Sequence, residues 1–169
     1  MRHLKGNARE YCTLGHKLEL PIGLDFIKDV NGRKNLGENV RILSLHKAGL
    51  VGMKNCPWAK DSIDFVVCVL DENDESLELW GVEIKSRQNN NTINKEKETM
   101  RKLRRAKYEE IEDEKVHTYI YKKDERLQLL HHAYVYNFDK VVHVVGDNAG
   151  KVMNATVVSY NSGTLEYHT

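Results

Sequence analysis

The sequence predicts a mixed α/β fold around a small sheet, and three observations carry that prediction. Leu14, Leu18, Ile22 and Phe26 recur every four residues, the stripe of an amphipathic helix. Several short runs rich in β-branched residues follow, the densest being Ile-Asp-Phe-Val-Val-Cys-Val-Leu over 63–70. Between and after them lie two longer stretches, 95–115 and 125–136, that read as helices. The chain has 169 residues, 40% hydrophobic and 30% charged, which is one globular domain's worth and enough to bury roughly 70% of the unfolded surface.

Taken in order, the first helix carries Pro21 inside its stripe, so it kinks or starts there. Asn31-Gly32 and Leu36-Gly37 mark its exit loop. A short β-prone run at 40–45 comes next, then the buried strand 63–70, a polar turn over 71–75, and a strand over 77–85. Leu77, Leu79 and Gly81 fall on one face of that strand, and the pair forms a hairpin. Asn89-Asn90-Asn91 opens a polar loop before the helix at 95–115. Tyr119 and Tyr121 alternate in a short β-like stretch that covers the sheet. The helix at 125–136 precedes strands at 141–145 and 152–159, joined by the turn at 148–150. Nothing repeats and no boundary divides the chain, so 1–169 reads as a single domain, truncated or minimal at its C-terminal end.

Composition excludes several classes. The longest uncharged apolar run, 65–70, is far short of the ~20 residues that a membrane helix needs. Met1-Arg2-His3-Leu4-Lys5 has no apolar stretch behind it, so no secretory signal is expected. Cys12, Cys56 and Cys68 are too few and too scattered for a disulfide scaffold or a CxxC zinc module, and they suit an intracellular, reducing setting. The net charge of +1 conceals a strong asymmetry: nine basic residues against two acidic ones between Lys85 and Lys107, with Glu109, Glu110, Glu112, Asp113 and Glu114 directly after. Such a segment is either a solvated helix face or a grip on a polyanion.

The chemistry concentrates in Asp64 and Glu83-Ile84-Lys85. Alternate residues of a strand share a face, so Glu83 and Lys85 project side by side. In an antiparallel hairpin the start of the first strand meets the end of the second, which brings Asp64 to them. Two carboxylates at one site repel unless a proton or cation separates them. All-oxygen donors favour a hard ion, Mg²⁺ above all and Mn²⁺ as a second choice. A metal so held polarises a phosphodiester and acidifies water, and the lysine orients that water or stabilises charge on phosphorus. The ordinary alternative is a cross-strand surface ion pair worth ~0.2–1 kcal/mol.

Four places in order resemble a known family. Leu14-Gly15-His16-Lys17-Leu18-Glu19 is similar to an early helix with a glutamate soon after a glycine. Ala48-Gly49-Leu50, Pro57-Trp58 and Ser62-Ile63-Asp64 resemble a segment ending in Ser-Pro-Asp-Gly, with Ile63 and Phe65 here in place of proline and glycine. Val82-Glu83-Ile84-Lys85 matches a Glu-x-Lys strand. Gln128-Leu129-Leu130-His131-His132-Ala133-Tyr134-Val135 resembles a helix bearing a glutamine. From about Arg9 to Val145 the chain thus resembles the PD-(D/E)xK nuclease superfamily, and within it the phage lambda-type exonucleases, or YqaJ-like viral recombinases. The resemblance implies an α/β fold with a restriction-endonuclease-like core, a small mixed β-sheet flanked by helices. It implies Asp64 and Glu83 as metal ligands, Lys85 as the catalytic lysine, Glu19 as a helix carboxylate on the metal or its water, and Gln128 as a polar group that positions lysine or water.

The activity so implied is Mg²⁺-dependent hydrolysis of DNA by an exonuclease at duplex ends, with double-stranded DNA as partner, no membrane, and a homo-oligomer as one possible assembly. A catalytically silent DNA-binding module and a sequence-specific endonuclease on the same core remain the alternatives. Arg87, Arg101 and Arg105 are the candidate phosphate contacts, with Arg101 and Arg105 sharing a helix face at i and i+4. Trp58 is a candidate substrate edge. His131 and His132, adjacent on a helix, diverge too far to chelate one ion, but either can line the cleft on the Gln128 helix.

Overall fold

The computed structural model describes residues 7–47, 51–53, 56–61, 63–138 and 140–161, with side chains from Thr13 onward except along 51–61. The chain opens with helix α1 (Asn7–Asn31) and strand β1 (Val40–Lys47), followed by a two-stranded hairpin of β2 (Val51–Met53) and β3 (Cys56–Asp61). The hairpin β4 (Phe65–Asp71) and β5 (Ser76–Ser86) comes next, then helix α2 (Asn90–Leu103) and strand β6 (Tyr108–Glu112). A 3₁₀ turn (Asp113–Lys115), helix α3 (Val116–Tyr119), helix α4 (Lys123–Tyr136) and strands β7 (Lys140–Gly146) and β8 (Val152–Ser159) complete it. The fold is mixed α/β: a six-stranded sheet ordered β1-β4-β5-β7-β8-β6, flanked by four helices among the described residues. Pairs β5/β7 and β8/β6 are parallel, and the others antiparallel. No helix among the described residues is long and apolar enough to cross a membrane.

Strand periodicity sorts β5 between two cores. Trp80, Val82 and Ile84 point toward α1 and pack with Leu18, Ile22, Phe26 and Val30, the buried part of the helical stripe. Each such side chain contributes about 1.5–3 kcal/mol by leaving water. Glu83 and Lys85 point the other way, toward α4, whose Leu129 and Ala133 pack with Ile63, Ile111, Phe138, Val141 and Val158. Gly81 lies on that second face, where an added Cβ would meet Ile63 at 2.5 Å and Phe138 at 2.7 Å. Leu77 and Leu79 share the face with Gly81 as expected, yet they are 62% and 55% exposed, while Ile63 and Phe138 cover the face at Gly81.

Helix α1 runs through Pro21 rather than starting at it. The helix stops at Asn31, whose side chain donates to Ile42 O (2.9 Å) and accepts from Ile42 N (2.7 Å), tying the helix end to β1 beside a bulge between Ile42 and Ser44. Hairpin β4–β5 has the expected register, Phe65 opposite Val82 and Asp71 opposite Ser76.

The single helix expected over 95–115 is replaced by a helix, a turn and a strand. Arg104 takes the left-handed conformation (φ 51°), and its N–H closes back on Arg101 and Met100, which ends α2 at Leu103. Tyr108 and Ile111 then fall on opposite faces of β6, one in each core. Burial of both, with pairing to β8, outweighs the helix preference of the intervening glutamates. Tyr119 is in α3, not in a strand, and Tyr121 lies past its end.

Gly146 sits where α1 crosses β7. A Cβ built there would lie 2.4–3.0 Å from three carbons of Ile22, which is fully buried. Gly146→Ala should therefore destabilise the fold by about 1–3 kcal/mol through overpacking. Urea unfolding checks this, and an unchanged midpoint with unchanged slope would contradict it.

Candidate active site

Asp64 stands one residue before β4, and its Oδ2 accepts the Ile84 N–H at 2.8 Å. That bond ties the start of one strand to the end of its partner, so the two carboxylates meet as the hairpin geometry requires. Burial raises the Asp64 carboxyl pKa, and the nearby Glu83 and Glu19 charges add to it, although the Ile84 N–H pulls the other way. The outcome is a group titrating at about 7. Burial is thus the main reason the Asp64 proton is held, and the neighbouring carboxylates reinforce it.

Glu83 is 4% exposed. Lys85 Nζ lies 3.4 Å from its Oε1, and His132 Nε2 lies 2.8 Å from its Oε2. The second contact is close but not aligned as a hydrogen bond, so a buried carboxylate oxygen is left without a hydrogen bond of good geometry. Lys85 Nζ donates to Gln128 Oε1 at 2.5 Å. Glu19 comes from α1, has its Oε1 3.3 Å from His16 Nδ1, and lines a cleft of about 320 Å³ with Leu20, Leu45, Lys47 and Phe65. Asp64, Glu83, Lys85 and Gln128 therefore converge, and Glu19 reaches them through its field on Asp64.

Among the described residues no group of three or more His, Cys, Asp or Glu side chains is arranged to hold a metal ion. Mg²⁺ does not need such a cage, since it keeps several waters and takes one or two carboxylates. The underused Glu83 oxygen and the raised Asp64 carboxyl fit that donor set.

Arg87 is not a phosphate contact. It is 4% exposed and engaged on all three nitrogens: Nε to Glu96 Oε1, and Nη1 and Nη2 to Glu125 Oε2 and Oε1, each at 2.9 Å. A positive side chain this close to the sheet is held inside by two buried acids that sequence spacing does not reveal. Burial alone would raise Glu125, but hydrogen bonds from His143 (2.8 Å) and Arg87 hold it well below the usual carboxylate range. Arg105 is corrected too. It lies beyond α2, so it shares no helix face with Arg101; it donates to Ala155 O and Ala106 O and its guanidinium sits 5.5 Å over the Tyr119 ring. Exposed basic residues here include Lys97 and Arg101, one turn apart on α2, and Arg104 just past its end. His131 is exposed, and His132 is buried beside Glu83. The side chain of Trp58, with Ser62 and the segment 48–50, lies outside the described residues.

Sequence reasoning missed Glu125 and His143. The signal for Glu125 is present: Glu125, Gln128 and His132 recur at i, i+3 and i+7 on one helix face. No family model, curated protein or solved structure matches the chain.

The Asp64 carboxyl yields a pH prediction. An unfolded aspartate titrates at about 3.9. Between that value and about 7 the folded chain keeps a proton the unfolded chain has lost, so the Asp64 contribution to stability falls as pH rises through this window. In chelator-containing buffer, Asp64→Asn should match the wild type near pH 4 and exceed it by roughly 2–4 kcal/mol near pH 7.5. Urea melts at both pH values check it; an equal offset at the two would contradict the burial of a charged pair.

Proposed function

We propose that this chain is a metal-dependent deoxyribonuclease that hydrolyses phosphodiester bonds, acting as an exonuclease on duplex DNA ends. The observation that carries the reading is the convergence of Asp64, Glu83, Lys85 and Gln128 from a strand end, a neighbouring strand and a covering helix. The resemblance to the PD-(D/E)xK nucleases, lambda-type exonucleases among them, supports the choice of chemistry and of duplex ends.

In this reading Asp64 and Glu83 would hold Mg²⁺, with Glu19 near enough to bind its water. The ion supplies polarisation of the phosphodiester and acidification of the attacking water. Lys85 does the rest of the electrostatic work. Its ammonium, held by Gln128 and offset by Glu83, is oriented before substrate arrives, so it stabilises charge building on phosphorus without reorganising. His132 beside Glu83 keeps that carboxylate from turning away. Lys97 and Arg101, on the helix that begins just past the Glu-x-Lys strand, and Arg104 at its end would grip backbone phosphates without reading bases.

Incubation with linear and with circular duplex DNA, with Mg²⁺ and with chelator, tests the activity and separates exonuclease from endonuclease action. Digestion of linear DNA alone is expected. Asp64→Asn and Glu83→Gln should each retain less than about a tenth of the rate, a barrier increase above about 1.4 kcal/mol. Lys85→Ala should lower turnover by a similar factor yet leave Mg²⁺ affinity by calorimetry within a few-fold, since an ammonium does not ligate a cation. A loss of affinity as large as that of Asp64→Asn would remove Lys85 from its assigned role.

These basic residues give a separate expectation. Lys97, Arg101 and Arg104 replaced together by Ala, in an Asp64→Asn background, should weaken binding to all duplex sequences alike. The log–log salt slope should flatten by about 0.9 for each phosphate no longer neutralised by a side chain. An unchanged slope would make these residues a solvated surface.

A further inference from the structure

We infer that Arg87 is a positioning residue of this site: through Glu125 it fixes α4 in the register that brings Gln128 onto Lys85 and His132 onto Glu83. The catalytic consequence rests on the nuclease reading; the positioning rests on geometry. Residues Glu83, Lys85 and Arg87 run along β5 and one residue past it, and His132, Gln128 and Glu125 answer them in reverse order along α4. Of these three contacts, Arg87–Glu125 is the one made by a planar fork, with two nitrogens on two oxygens at 2.9 Å. A fork of that kind specifies distance and orientation together, which a single ammonium cannot do.

Apolar packing does not fix this register alone: Leu130 and Tyr136 also pack against the second core, but hydrophobic contact lacks the direction that the fork has. The buried residues of α4 are Glu125, Leu129, His132 and Ala133, so half are polar, and the two apolar ones are one turn apart. Hydrophobic contacts are non-directional, and a slip of one turn moves a side chain by about 5.4 Å, far beyond hydrogen-bond reach. The fork is itself anchored. His143 of β7 holds Glu125 Oε1, Glu96 of α2 takes Arg87 Nε, and Asn154 of β8 donates to Glu96 Oε2 at 3.1 Å. The Tyr121 ring covers the guanidinium, 5.7 Å from its centroid. Buried ion pairs often add little net stability, and registry is their best-attested use.

Two variants test this. Arg87→Lys keeps the charge and loses the fork. The triple change Arg87→Met, Glu96→Gln, Glu125→Gln removes the fork and its charges while leaving His143 an amide oxygen to bond. Thermal melts, kcat and KM on linear duplex DNA, and the rate of Lys85 acetylation by mass spectrometry are measured in each, with Gln128→Ala as reference. Expected are folded proteins whose kcat falls at least about tenfold while KM and the salt slope stay within about twofold. Lys85 should be acetylated faster, approaching the Gln128→Ala rate.

A merely stabilising residue would lower the melting temperature and leave kcat per folded molecule and Lys85 labelling unchanged. A phosphate contact would raise KM and flatten the salt slope. Either result overturns the inference. If Arg87→Lys does not fold, the triple variant decides; failure of both to fold would make the network a stability element and overturn it as well. A wild type that cleaves no DNA would sink the nuclease reading, while the labelling comparison would still decide the positioning.

Discussion

Strand β5 and its continuation drive Glu83, Lys85 and Arg87 under a helix, and burying charge is expensive unless each is matched. The covering helix meets that demand with polar residues at helical spacing, His132, Gln128 and Glu125. Much else follows from this requirement. Glu96 must be buried to complete Arg87, which places α2 against the sheet; Asn154 must meet Glu96, which engages β8; and His143 must face the same side of β7 as Glu83 does of β5, as their parallel pairing makes it.

The two ends of this ladder differ in kind. At Arg87 the charges are closed: Glu125 is held ionised by a guanidinium and an imidazole, and the cost of burial is offset by hydrogen bonds on every guanidinium nitrogen. At Asp64 and Glu83 they are open, with one carboxyl pushed up to about 7 and a buried oxygen left without an aligned hydrogen bond. Structural ion pairs look like the first. The second is a buried carboxylate pair without a full set of partners, and on the proposed reading it is where a cation would bind.

The second end is legible in the sequence and the first is hidden. Period-two alternation and the hairpin turn are enough to bring Asp64 to Glu83 and Lys85, since all three depend on local geometry and one short connection. The strands β4, β5, β7 and β8 are legible within a residue or two for the same reason. Arg87 misleads because a run of basic residues carries no record of which ones face inward; its partners Glu96 and Glu125 are nine and thirty-eight positions away. Strand β6 is hidden by its glutamates, which favour helix locally, while the apolar pair Tyr108 and Ile111 counts only once two separate cores exist to receive them. Arg105 follows from the same error, because its presumed face requires a helix that ends two residues before it.

A division of labour follows from where the cations sit. Lys85 is partly shielded and paired, so its charge acts at one point and is little screened by salt; Lys97, Arg101 and Arg104 are exposed, so their field is long-ranged and weakened by salt. On the proposed nuclease reading the exposed set would hold a polyanion in many registers, and the shielded one would act on a single phosphate held in one. Arg87 lies between the two sets in sequence but serves neither directly. Its full internal engagement ties α4 to the end of β5, and α4 through Gln128 sets where Lys85 points.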